Sequence, residues 1–117
     1  VSRLYLEEIL QNFITNAIRY TQKGSITLSI KKNKSGEITF KVIDTGIGIS
    51  KADIAKIFDK FYRAEDYRTR ETKGTGLGLY VSAKLAKKLG CKIEVESRLN
   101  HGSTFGFKLK EFKNNDK

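Results

Sequence analysis

The 117-residue sequence holds one cysteine, Cys91, and one histidine, His101. A lone cysteine builds no disulfide framework, and together the two fall short of a structural zinc site. Nothing in the composition therefore requires an oxidising compartment or a metal held by protein ligands alone. Also missing are signal-peptide features and any apolar run approaching a transmembrane span. With 38% hydrophobic and 31% charged residues, the chain is too apolar for a disordered polymer, and its length suits one small domain. Lys and Arg number 23 against 13 Asp and Glu, a formal charge of +10. The excess divides into about +4 over residues 1 to 58 and about +6 over the rest, so neither half is a basic arm. Interspersed lysines with a matching set of acids describe an ordinary solvated surface. A patch for nucleic acid or anionic lipid is one alternative, and a polyanionic small ligand is another. The sequence starts at Val1 inside what reads as a helix, which is the expectation for an excised, N-terminally truncated fragment.

Leu4, Leu6, Ile9, Leu10, Phe13, Ile14, Ala17 and Ile18 recur at helical spacing and predict an amphipathic helix to about Tyr20, closed by Gly24. Residues 25 to 32 and 37 to 44 alternate apolar and polar around Asn33, Lys34, Ser35 and Gly36, which predicts a β-hairpin with one buried face. Ser50 and Asp53 resemble a capping box and predict a short helix to about Phe58. Residues 60 to 75 show no sustained period and read as a long, mobile lid. Helical spacing returns from Leu77 to Leu89 and stops at Gly90. Two more strands, about 91 to 97 and 104 to 110, flank a turn through Asn100, His101 and Gly102, and the tail from 113 to 117 reads as disordered. Residues 1 to 112 thus form one α+β domain, a two-layer sandwich with helices on one face of a mostly antiparallel sheet.

Five of ten glycines fall in DTGIGI (Gly46, Gly48) and KGTGLGL (Gly74, Gly76, Gly78). Glycine admits close backbone approach to a ligand, and a glycine-rich loop opening a helix offers free N–H groups to an anion. The second cluster matches neither a Walker A loop nor a Rossmann fingerprint, because no Gly-Lys-Ser/Thr follows and a charged loop precedes it. Each cluster by itself is equally a flexible turn. On the first helix Glu8, Asn12 and Asn16 follow at i, i+4 and i+8 and share a face, with Arg19 and Tyr20 near the same edge. A carboxamide oxygen suits Mg²⁺, which takes much of its shell from water and phosphates. Hydrogen bonding across the sheet surface is the alternative use of these asparagines.

These stretches, in this order, resemble the ATP-binding catalytic domain of sensor histidine kinases, within the group that includes gyrase, the Hsp90 chaperones and the MutL repair proteins. LEEILQNFITNAIRYT is similar to the N box, DTGIGIS to the G1 box, IFDKFYR to the F box, KGTGLGLYVSAKLAKKLG to the G2 box, and HGSTFGFKL to the last glycine motif and closing strand. The resemblance spans residues 4 to about 110 and implies a Bergerat-type fold with a mobile ATP lid. It implies Asn16 as the Mg²⁺ ligand, Asn12 toward the phosphates or the metal's water shell, Arg19 for the phosphates and Tyr20 beside the nucleotide. Asp44 is implied as the adenine reader; a carboxylate accepts from adenine's amino group but faces an acceptor in guanine. Gly46, Gly48 and Ile49 would lie under the base, and Thr104 would hold a water against its edge. Gly74, Thr75, Gly76, Leu77, Gly78 and Leu79 would take the phosphates. Phe58, Phe61 and Tyr62 would anchor the lid, and Lys60 and Arg63, with Arg68 and Arg70, would reach the γ-phosphate.

In the ATP-hydrolysing relatives the position of Asn12 is a glutamate that activates water. An amide accepts no proton as a general base, and Glu8 lies another turn away. The resemblance therefore implies an ATP-dependent protein-histidine kinase domain. It would hold Mg²⁺-ATP and deliver the γ-phosphoryl group to a histidine on the dimerisation domain of a parent sensor, with a downstream response regulator. A serine kinase of the anti-sigma type and a degenerate nucleotide-binding module are the alternatives. His101, in a turn, reads as a surface residue and not as the phosphoacceptor. The expected fragment is a cytoplasmic monomer, cut from a membrane-anchored parent, that itself touches neither nucleic acid nor membrane.

Overall fold

The computed structural model describes residues 3 to 59 and 78 to 110. Helix α1 (Arg3–Tyr20) leads into β1 (Ile26–Lys32) and β2 (Ile38–Asp44); a short α2 (Lys51–Ile54) follows, then α3 (Gly78–Lys88), β3 (Glu94–Ser97) and β4 (Ser103–Leu109). The four strands form one sheet in the order β1-β2-β4-β3, every pair antiparallel. This is the two-layer α+β sandwich that the periodicities describe. The lid, with Lys60, Phe61, Tyr62, Arg63, Arg68, Arg70, Gly74, Thr75, Gly76 and Leu77, lies outside the described residues, as does the tail.

Helix α1 turns Leu6, Ile9, Phe13 and Ala17 to the sheet, and alternation in β2 and β4 raises Phe40, Val42, Phe105, Phe107 and Leu109 against them. Four aromatic rings centre this core. Phe13 meets Phe105 at 5.5 Å and Phe107 edge-on at 6.1 Å, while Phe107 stacks on Phe40 at 5.0 Å. Offset and edge-to-face pairs of this kind add to plain area burial and fix the helix over the central strands.

The prediction of one buried face holds for β2 and fails for β1. Ile26, Leu28 and Ile30 pair with Asp44, Val42 and Phe40 and point to the helix side, yet remain 37%, 46% and 56% exposed. The reason is lateral: α1 packs over β2 and, through Phe13, over β4, and reaches the edge strand only marginally.

Boundaries also shift. Helix α2 ends at Ile54 instead of near Phe58, because Lys56 and Asp59 donate three residues back, to the carbonyls of Asp53 and Lys56 (both 2.9 Å), and no α-helical ladder continues. Its Ser50 cap is as expected, with Oγ accepting from the Asp53 N–H at 3.2 Å. Helix α3 stops in a Schellman motif: Cys91 N–H donates to Ala86 O (3.0 Å) and Gly90 N–H to Lys87 O (3.1 Å), with Gly90 at φ +74°. This motif still occupies Cys91, and β3 begins only at Glu94. None of the described helices is long and apolar enough to cross a membrane.

Replacing Phe107, which has no exposure, removes the ring common to two of the three aromatic contacts. Phe107→Ala should lower unfolding free energy by about 3–5 kcal/mol in urea titration.

Candidate functional site

The α-helical repeat places Asn12 and Asn16 on one side of α1, Asn16 buried at 6% exposure and Asn12 half-buried. The amide of Asn12 faces the start of α3: a Cβ on Gly78 would lie 3.9 Å from its Oδ1. Two features distant in sequence, the asparagine face and the opening of the last helix, are thus neighbours. Arg19 is half-buried near the C-terminal end of α1 and Tyr20 is buried there. Glu8 is exposed and faces a separate groove of about 560 Å³ between α1 and α3, with Leu4, Val81 and Leu85.

Asp44 ends β2 and is 4% exposed. Burial pushes its carboxyl above the ordinary carboxylate range, and the backbone N–H groups of Gly46 and Ser103 and the Thr21 hydroxyl only partly offset this. The Gly46 bond to Oδ1 is 2.9 Å. The loop after Asp44 is fixed on two sides. Toward α1, Ile47 N–H donates to Tyr20 O at 3.0 Å, and a Cβ on Gly46 would overlap that same carbonyl. Toward the β3–β4 turn, Asn100 N–H donates to Ile47 O (2.6 Å) and Ile49 N–H to Ser97 Oγ (2.8 Å). Gly48, at φ +71°, lies against the Arg98 carbonyl where a side chain would not fit.

Of the predicted site residues, Thr104 falls elsewhere than expected. Thr104 lies on the far side of the sheet, beside Lys41 and Glu96, in a trough away from α1. The β4 residue that faces Asp44 is Ser103, its register partner, which is 5% exposed and hydrogen-bonded to Ser97 Oγ at 2.7 Å. Side-chain alternation is the cause: with Phe105, Phe107 and Leu109 turned to the helices, Ser103 turns with them and Thr104 cannot. Ile49 is 2% exposed within the hydrophobic core, so its side chain supports the loop from beneath, and Leu79 packs against the same core. His101 is exposed in the turn, its N–H donating to Arg98 O at 2.9 Å. Ser97, Ser103 and Thr21 are the residues that sequence reasoning missed. The alternation of β4 was the available signal for Ser103; nothing comparable marks Ser97 or Thr21.

The carboxamides of Asn12, beside the start of α3, and of Asn16, one turn further along α1, are hard, neutral oxygen ligands, which fits a Mg²⁺ ion completed by water and phosphate oxygens. Among the described residues no group of three or more His, Cys, Asp or Glu is placed to hold a metal.

Comparison with known proteins identifies the family of the domain. Residues 2–113 match the family described as histidine kinase-, DNA gyrase B-, and HSP90-like ATPase. The chain is 41% identical over 101 residues to the aerobic respiration control sensor protein ArcB of Escherichia coli, covering 86% of this chain and 13% of ArcB. It is 39% identical over 105 residues to the sensor protein SrrB of Staphylococcus aureus, covering 89% of this chain and 18% of SrrB. It thus spans less than a fifth of either relative's length. Among solved structures, the nucleotide-free catalytic domain of histidine kinase ThkA superposes with a TM-score of 0.74 at 31% identity, over 93% of this chain and 69% of that one. Full-length ShkA in complex with AMPPNP gives 0.76 at 32% identity, over 91% of this chain and 21% of that one.

The raised titration point of Asp44 has a sign. The native state holds this proton more tightly than the unfolded chain, so the contribution of Asp44 to stability is fully present in acid and is lost as pH rises through its native titration point. Asp44→Asn should flatten that slope and leave neutral-pH stability unchanged or higher, read from thermal melts across the acid-to-neutral range.

Proposed function

The chain belongs to the histidine kinase-, DNA gyrase B- and HSP90-like ATPase family, as a catalytic domain of the histidine kinase type, and from that premise we propose that it positions Mg²⁺-ATP for phosphoryl transfer to a histidine on another domain of its parent protein. The observation that carries the reading is the juxtaposition of Asn12 with Gly78, at the opening of α3, while Asp44 lies buried beyond the C-terminal end of α1. Triphosphate and base then have separate receptors on one helix-lined face.

Asp44 would accept from adenine's exocyclic amino group, Gly46 and Gly48 would let the loop pass under the base, and Tyr20 would pack beside it. Asn16 would ligate the metal, Asn12 would orient phosphate or metal-bound water, and Arg19 would add positive charge at the phosphates. Mg²⁺ supplies charge neutralisation on the phosphate oxygens. The glycines and leucines from Gly74 to Leu79 would cap the phosphates, and Lys60 and Arg63, with Arg68 and Arg70, would close over the γ-phosphate as part of a lid. Phosphoryl transfer of this kind needs positioning and electrostatic stabilisation more than protein acid–base chemistry. An amide at Asn12 agrees with that division of labour: it orients without taking a proton from water, and ATP survives until the acceptor arrives.

The acceptor histidine would belong to a helical dimerisation domain, and the phosphoryl group would pass on to a response regulator. The parent would be a sensor anchored in a membrane with this domain on the cytoplasmic side.

ATP with Mg²⁺ at 100 times its Kd should raise unfolding free energy by about 2.7 kcal/mol. Asn16→Ala should abolish the Mg²⁺-dependent part of that gain in calorimetric melts, and a gain equal to wild type would remove the metal assignment. Adding the parent's helical domain in trans should yield acid-labile phosphohistidine; phosphoserine on a protein partner instead would reassign the acceptor.

A further inference from the structure

Among the described residues, one buried side-chain oxygen has no hydrogen-bond partner: Oγ1 of Thr21. A buried hydroxyl left unpaired costs about 1–3 kcal/mol, so its place in the fold calls for a reason. Thr21 follows directly on α1, whose last residue is Tyr20. Its hydroxyl lies beneath the loop after β2, so close that a Cβ on Gly46 would stand 2.7 Å from Oγ1. It also borders the Asp44 carboxylate, near enough to favour the charged form, as the weakest of three such influences, but short of a formed hydrogen bond. The orphan donor is therefore beside two groups, the carboxylate and the loop whose Gly46 amide holds that carboxylate.

We propose that Thr21 is a positioning residue for base recognition: when the purine amino group docks on Asp44, the Thr21 O–H closes onto the carboxylate and holds it aimed at that amino group. The inference rests on the proposed role of Asp44 as adenine reader. A carboxylate has about four lone-pair sites, enough to accept from Gly46, Ser103, Thr21 and the base together. With all four donors present the carboxylate has one orientation, and only a base that offers a donor at that edge completes the set. Filling space between helix end and loop would need only the shape of the side chain, and valine supplies that shape without the hydroxyl.

The test compares the wild-type chain with Thr21→Val and Thr21→Ser in calorimetric titrations with Mg²⁺-ATP and with the triphosphate of purine riboside, which lacks the 6-amino group. The melting temperature without nucleotide should be unchanged or higher in Thr21→Val, because the orphan is removed. Its ATP affinity should fall about tenfold, Thr21→Ser should restore it, and affinity for the amino-less analogue should be the same in all three chains. Unchanged ATP affinity in Thr21→Val overturns the assignment, and so does an equal loss for both nucleotides, which would signal a displaced loop. Failure of the wild-type chain to bind ATP overturns this inference together with the functional reading. Wild-type binding with an unaffected valine variant overturns the inference alone.

Discussion

Three backbone carbonyls packed against three glycines hold this site together. The Tyr20 carbonyl occupies the space of a side chain at Gly46, the Arg98 carbonyl that at Gly48, and the Asp44 carbonyl that at Gly102. Through these approaches the end of α1, the loop after β2 and the β3–β4 turn come to van der Waals distance, and the Ile47 amide, the Ile47 carbonyl and the Ile49 amide can each find a partner across the gap. Any side chain at these positions would separate the three segments. The glycines thus serve the protein's own backbone before they serve a ligand, which explains why Asp44 can be buried and still hold a fixed direction.

That burial has a cost. A carboxylate at 4% exposure, with a raised titration point, is less favourable in the folded chain than in water. Two backbone N–H groups and one hydroxyl offset it only in part. Under the proposed base recognition, the ligand would supply a further donor to this carboxylate. On the proposed reading, function and stability pull against each other at this residue.

Much of the fold was legible in the residues. Apolar spacing located α1 and β2, a serine cap located the start of α2, and Gly90 marked the end of α3. Two of the three failures share one physical character, since they concern what lies beside an element and not the element itself. The apolar face of β1 is patterned for burial, but whether it is covered depends on where α1 lands. The continuation of α2 depended on whether its ladder was kept beyond Ile54. Thr104 and Ser103 differ by one residue and hence by one face of the sheet, a choice settled by the inward turn of Phe105 and Phe107.

For the site, the sequence by itself determined the chemistry. It contained an asparagine face with no general base at Asn12, a carboxylate followed by glycines, and a glycine-rich helix opening, because residue type and helical spacing are local properties. The tertiary structure alone decided which of these groups meet and which hydroxyls attend them. Asn12 faces Gly78 across more than sixty intervening residues, Ser97 reaches the Ile49 amide, and Thr21 is left buried without a partner beside Asp44. Those placements follow from helix docking and strand register, which act between segments far apart in the chain and leave no periodic trace within either one.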